Sequence, residues 1–205
     1  MPESEAAPPE TTERKVRERL HAAAAEVFAR KGYASATVND IVRKAGVTKP
    51  VLYYHYGSKE GMYKAFLESA LSDLEERVGA VETLRGSASL RLSRLCGEIY
   101  AIFRRHTDAV RVMHAIYYGP PQGAPYFDFD RALFRVEDSV SKIVRQGLEA
   151  GEFEGDAAAM TRAVLGVCNE CIDIELAHPE KAVGKAGLLE SLDVVLRGMK
   201  REGGR

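Results

Sequence analysis

Apolar residues recur at three- and four-residue steps along nearly the whole chain, and nowhere do they alternate with polar ones over a strand's length. A period near 3.6 lays one stripe along a helix, whereas a half-buried strand needs a period of two. The chain is therefore expected to be all-α. Val16, Leu20, Ala23 and Val27, with Phe28 beside them, form the first stripe, running from about Arg14 to a stop at Gly32. Thr37, with Asp40 three positions on, predicts a capped short helix that ends at Gly46. Thr48 opens another, from Lys49 to about Tyr56, with Pro50 in its first turn, where a missing N–H costs little. Ser58 opens a longer helix to about Val78. Further helices are expected over 90–106, 108–118, 130–150, 156–178 and 188–199, about nine in all, with 119–125 a loop and Pro179 a stop.

Of 205 residues, 45% are hydrophobic and 29% charged, an ordinary globular balance. No stretch approaches the ~18 consecutive apolar residues of a membrane helix. Residues 1–12 carry Glu3, Glu5 and Glu10, no Lys or Arg, and Pro2, Pro8 and Pro9. They read as a disordered tail without the basic start and apolar core of a secretory signal. Three cysteines are too few for a disulfide framework, so the cytoplasm is the expected location. The net charge of −1 conceals an asymmetry: residues 13–64 hold eleven Lys or Arg against five Asp or Glu, and residues 65–205 are mildly acidic. A basic block on an acidic body suggests a phosphate-binding head on a larger domain.

Within the head, two short capped helices joined through Ala45, Gly46 and Val47 have the form of a helix-turn-helix, locked by Ile41, Ala45, Val47 and Leu52. The second helix then carries Tyr53, Tyr54, His55 and Tyr56. Two turns cannot bury four such side chains on one face, so some must be exposed beside Thr48, Lys49 and Lys59. That combination suits phosphate and base-edge contact in a DNA major groove.

Over Arg14 to about Phe66 the chain resembles the tetracycline-repressor-like (TetR) family of bacterial regulators. The resemblance rests on Ala25 through Tyr33, on Thr37-Val38-Asn39-Asp40-Ile41-Val42, and on Ala45 through Glu60. It implies that Thr48, Lys49, Pro50, Val51, Tyr53, Tyr54 and His55 approach DNA and that Thr37 and Lys59 meet phosphate. Pro50 and Val51 stand where the family often has Gly and a small or polar residue, Tyr56 where Phe is usual, and Gly61 where Glu is common. These departures bear on base preference.

The resemblance also implies a helical C-terminal domain that binds an effector and dimerises through its last two long helices. At about 100° per residue, the apolar positions of 156–178, from Met160 to Leu176, cover about 200° of the helix. That arc is wider than a monomer's surface helix needs, and Glu175 falls inside it. Leu188, Leu192, Val195 and Met199 lie on one stripe of the last helix, where Leu192 is expected at the dimer interface. Phe103, Met113, Tyr117, Tyr118, Phe127 and Phe134 are candidate walls of a ligand cavity, with Arg135, Asn169 and Asp173 as polar anchors.

Cys168 and Cys171, spaced C-x-x-C, lie in a helical pattern without a second pair or matched histidines, so packing is favoured over metal or redox chemistry. No catalytic motif is visible, and neither an enzyme, a cofactor nor a membrane partner is expected. The expected organisation is a tail over 1–12, a three-helix DNA-binding head over 13–58, a connecting helix over 59–80 and a ligand-binding and dimerisation domain over 81–200. The expected function is a ligand-responsive repressor that binds a pseudo-palindromic operator in double-stranded DNA as a homodimer and is released by a small-molecule effector of unknown identity. The alternative is a small-molecule-binding or protein-interaction module without operator-specific binding.

Overall fold

The computed structural model describes residues 9–119 and 123–200. Among them are nine α-helices: α1 Pro9–Ser35, α2 Val38–Ala45, α3 Lys49–Tyr56, α4 Lys59–Glu82, α5 Ala88–Arg105, α6 Thr107–Tyr117, α7 Asp130–Glu149, α8 Ala157–Ala177 and α9 Gly184–Met199. A single 3₁₀ turn, Pro179–Lys181, separates α8 from α9. No strand is present among the described residues; Phe153 and Lys200 form an isolated bridge.

The helix ends follow local chemistry. Ser87 and Asp156 cap α5 and α8 by accepting from the backbone N–H of Leu90 and Ala159. The expected start of α1 moves from Arg14 to Pro9, which corrects the reading of residues 9–12 as tail; residues 1–8 lie outside the described residues. A proline at the first helical position is what a helix N-terminus favours. Gly32, at φ 70° and ψ 170°, interrupts α1 where a stop was expected, and one further turn runs on to Ser35. α9 begins at Gly184, four residues before Leu188.

The chain divides into two compact units, Met1–Ser69 with Asp108–Phe127 and Ala70–Thr107 with Asp128–Arg205. The segment containing α6 thus groups with the head, and α4 contributes to both units. In the first unit α2 packs on α1 and α3 on α2. Leu20, Phe28, Ile41, Leu52, Met62 and Tyr63 form its core. Phe28 meets Tyr63 edge-on, with ring centroids 5.0 Å apart.

In the second unit α5 packs against α7, α8 and α9, and α8 lies between α7 and α9 in contact. Leu92, Leu95, Val140, Ile143, Val164, Leu188 and Leu192 are fully buried there. This bears on Leu192, which was expected at the dimer interface and is buried within its own unit. Leu188, Leu192 and Met199 turn inward onto their own core, Val195 is half-buried, and Val194 faces solvent at 69% exposure. A 16-residue helix that packs on two neighbours uses its best apolar stripe for its own core first.

Candidate nucleic-acid interface

The helix-turn-helix is built by its caps. Thr37 accepts from the N–H of Asp40 at 3.1 Å, and the Asp40 carboxylate accepts from the N–H of Thr37 at 3.2 Å, a complete capping box. The Thr37 hydroxyl also donates to Asp40 at 2.8 Å. Gly46 closes α2 in the left-handed region, at φ 65°, and its N–H returns to carbonyls of Val42 and Arg43. Any side chain at that φ would be strained, so the tight turn between α2 and α3 depends on glycine.

α3 presents its polar and aromatic side chains outward. Leu52 alone is fully buried; Tyr56, Val51 and His55 are half-buried, while Thr48, Lys49, Pro50 and Gly57 are exposed. Tyr53 is 47% and Tyr54 76% exposed, so the aromatic surplus expected of a two-turn helix lies in solvent. Tyr54 packs edge-on against His55 at 5.0 Å. Thr48 occupies the N-cap position but makes no side-chain cap hydrogen bond, which leaves its hydroxyl available to a ligand.

Lys59 is placed differently from its neighbours in the motif. Its ammonium donates to the carbonyls of Tyr33 at 2.9 Å and Ala36 at 3.0 Å, and sits 4.1 Å from the centroid of the Tyr33 ring. It ties the first turn of α4 to the end of α1, with at most one of its three donors left for a phosphate. Sequence reasoning missed this brace. The available signal was Tyr33 just beyond a helix-terminal glycine, where carbonyls are left without intrahelical donors.

The basic surplus of the head is also partly committed. Lys31 and Arg43 pair with Asp40 at 2.9 and 3.1 Å, and Lys44 and Arg30 with Glu26 at 2.6 and 3.5 Å. The Lys31 ammonium and the Thr37 hydroxyl hold the Asp40 carboxyl at about 2, and Lys44 lowers that of Glu26. Lys49 makes no ion pair among the described residues and stands at the start of α3.

The nine candidate ligand residues divide between the two units. Met113, Tyr117, Tyr118 and Phe127 belong to the first unit, and Phe103, Phe134, Arg135, Asn169 and Asp173 to the second. Phe103 is buried, Met113 and Phe127 are half-buried, and Tyr117, Tyr118, Phe134, Asn169 and Asp173 are exposed. Arg135 is held by Glu82 at 2.6 Å and Ser139 at 2.7 Å, and this ion pair keeps the Glu82 carboxyl at about 2. A cavity of about 280 Å³ in the first unit is lined by none of the nine.

The second unit instead explains Glu175. It is 5% exposed, accepts from the Tyr100 hydroxyl and pairs with the Arg104 guanidinium. Burial, then the neighbouring carboxylate, pushes the Tyr100 phenol up to about 12. Cys168 of α8 and Cys96 of α5 are both buried free thiols, and the Cys168 side chain together with burial raises the pKa of Cys96. No group of His, Cys, Asp and Glu able to hold a metal occurs among the described residues, and none of their helices is long and apolar enough to cross a membrane.

Residues 20–66, the segment that carries these features, match the family model described as "Bacterial regulatory proteins, tetR family". The chain is 39% identical over 87 residues to the HTH-type transcriptional activator FasR of Mycolicibacterium smegmatis, covering 42% of this chain and 38% of that one. It is 29% identical over 135 residues to the A-factor receptor protein of Streptomyces griseus, covering 63% and 43%. The chain therefore spans less than half the length of either relative. Among solved structures it is similar to the TetR family transcriptional regulator PfmR from Thermus thermophilus, at 27% identity and a TM-score of 0.71, over 89% of this chain and all of that one. In its helix-turn-helix segment the chain matches the tetR family of bacterial regulatory proteins, and its helical fold is that of a solved TetR family regulator.

Proposed function

We propose that this chain is a ligand-responsive, sequence-specific DNA-binding transcriptional regulator, a repressor that leaves its operator when a small molecule binds. The observation that carries the reading is α3: Thr48, Lys49, Tyr53 and Tyr54 stand exposed on the second helix of a helix-turn-helix whose inner face is anchored by Leu52. In the major groove, Lys49 and the helix N-terminus meet phosphate, and the tyrosines reach base edges and thymine methyls. Pro50 has no N–H and contributes shape and apolar contact only.

A homodimer through α8 and α9 would place two heads on the half-sites of a pseudo-palindromic operator. Val194, exposed on α9, and Leu165, Val167 and Ile172, half-buried on α8, favour this assembly. The effector would be an apolar or aromatic molecule with one or two polar groups; the naming of one relative as a receptor protein favours ligand control. To move the operator-bound population from 99:1 to 1:99, its binding to the two states must differ by about 5.5 kcal/mol. The cytoplasm is the proposed location.

Footprinting the purified protein on the DNA flanking its own gene tests the reading. A protected two-fold site, with affinity falling steeply between ~50 and ~200 mM salt, is the expected result. No protection at any salt would leave a binding module without an operator.

A further inference from the structure

The first unit contains a cavity of about 280 Å³ that none of the candidate DNA-contacting residues lines. Phe28 and Tyr33 from α1, Tyr63 from α4 and Val112 and Ile116 from α6 supply its apolar walls. Arg30, Lys31 and Arg111 also line it, and no Asp or Glu does. Each cation has an acidic neighbour, but the pair between Arg111 and Asp108 is loose at 3.8 Å. A guanidinium with five donors has capacity to spare there.

Tyr63 supplies the independent observation. Its side chain is fully buried, yet its hydroxyl has no hydrogen-bond partner among the described residues. A buried phenol left unpaired costs stability that a phenylalanine of the same shape would not. Burial also raises its pKa, so it remains a donor at neutral pH. A pocket with aromatic walls, an orphan donor and a cationic lining is suited to an acceptor-bearing anion.

We propose that this cavity is a small-molecule site for an apolar-bodied monocarboxylate of roughly ten non-hydrogen atoms, at about 30 Å³ for each water-sized group. Arg111 takes the carboxylate, the rings of Phe28 and Tyr33 take the body, and the Tyr63 hydroxyl donates to an oxygen of the ligand. The site lies in the head and is separate from any effector site in the second unit. Its wall residue Tyr33 is the one whose carbonyl and ring hold Lys59, so an occupant touches the brace of the helix-turn-helix directly.

Calorimetric titration of the full chain with benzoate and octanoate, and with benzyl alcohol as the neutral probe, tests the site without reference to DNA. At least one of the acids should bind saturably with one site per chain, and benzyl alcohol more weakly. Arg111→Met should weaken the acid about tenfold and Tyr63→Phe several-fold. Tyr63→Phe should unfold no earlier than the wild type, because it removes the unpaired hydroxyl. Absence of saturable binding by both acids at millimolar concentration overturns the proposal. So does binding that neither substitution alters, which would place the acid elsewhere in the chain.

Discussion

α3 and α9 are both short helices with more apolar and aromatic side chains than one face can hold, and they resolve the surplus in opposite ways. α3 buries Leu52 and leaves Tyr53 and Tyr54 in solvent. α9 draws Leu188, Leu192, Leu196 and Met199 into its own core and leaves Val194 outside. The difference follows from length and neighbours. Eight residues packed on α2 can bury one large side chain well, whereas sixteen residues packed on α5 and α8 can bury a whole stripe. The stripe on α9 therefore marks the fold itself, and the exposed tyrosines of α3 are what the proposed contact with DNA would use.

The largest effect expected from this contrast is at Leu192. Leu192→Glu places a charge in a fully buried site and should cost several kcal/mol, enough to unfold the second unit rather than merely separate two chains. Loss of cooperative thermal unfolding would bear this out, and a folded monomer would break the contrast. Val194→Glu, by contrast, should leave folding intact and yield monomers by sedimentation if α9 is the dimer surface.

Next in size is the buried carboxylate. Arg104→Ala leaves Glu175 with the Tyr100 hydroxyl alone and should cost about 1–3 kcal/mol in denaturant unfolding, less than a fully buried pair because Arg104 is itself largely exposed. Lys59 separates bracing from contact in the head. Lys59→Met should lower stability by about 2 kcal/mol along with DNA affinity, whereas Tyr54→Ala should lower affinity with stability changed by no more than about 0.5 kcal/mol. Equal stability of the two variants would remove the distinction.

The smallest expected effect is acid sensitivity. Glu82 titrates at about 2 in the folded chain against an ordinary value of 4.5, because Arg135 and then Ser139 hold its charged form. A depressed folded pKa contributes stability above the ordinary value, and that contribution is lost as pH falls from 4.5 toward 2. Glu82→Gln should flatten this part of the melting-temperature profile between those two values. An unchanged slope would mean that other carboxylates set it.

Most of the fold was legible because caps and periodicity are local. Thr37, Gly46 and Asp156 each act within four residues of where they stand, and α3 was located by Thr48, Pro50 and the crowding of its aromatic side chains. The missed side-chain contacts depend on partners distant in sequence. Lys59 finds carbonyls 26 and 23 residues away, and Glu175 finds donors 75 and 71 away. The cavity in the head was hidden for the same reason, since Arg111 and Val112 join it from α6. The ligand candidates were chosen for residue type, and residue type does not say which unit a side chain serves: Phe134 proved exposed and Arg135 already paired.

The most direct test is to select duplex DNA from a random pool with the purified protein and titrate the winner by fluorescence anisotropy, with wild type and Tyr54→Ala side by side. The expected result is a pseudo-palindromic sequence bound with a dissociation constant of roughly 10⁻⁸ M or tighter, and at least about tenfold weaker binding by the variant, equivalent to the loss of one good base contact. Failure to enrich any sequence, or an enriched site that Tyr54→Ala binds as well as the wild type, would contradict the assignment of α3 as the surface that reads DNA.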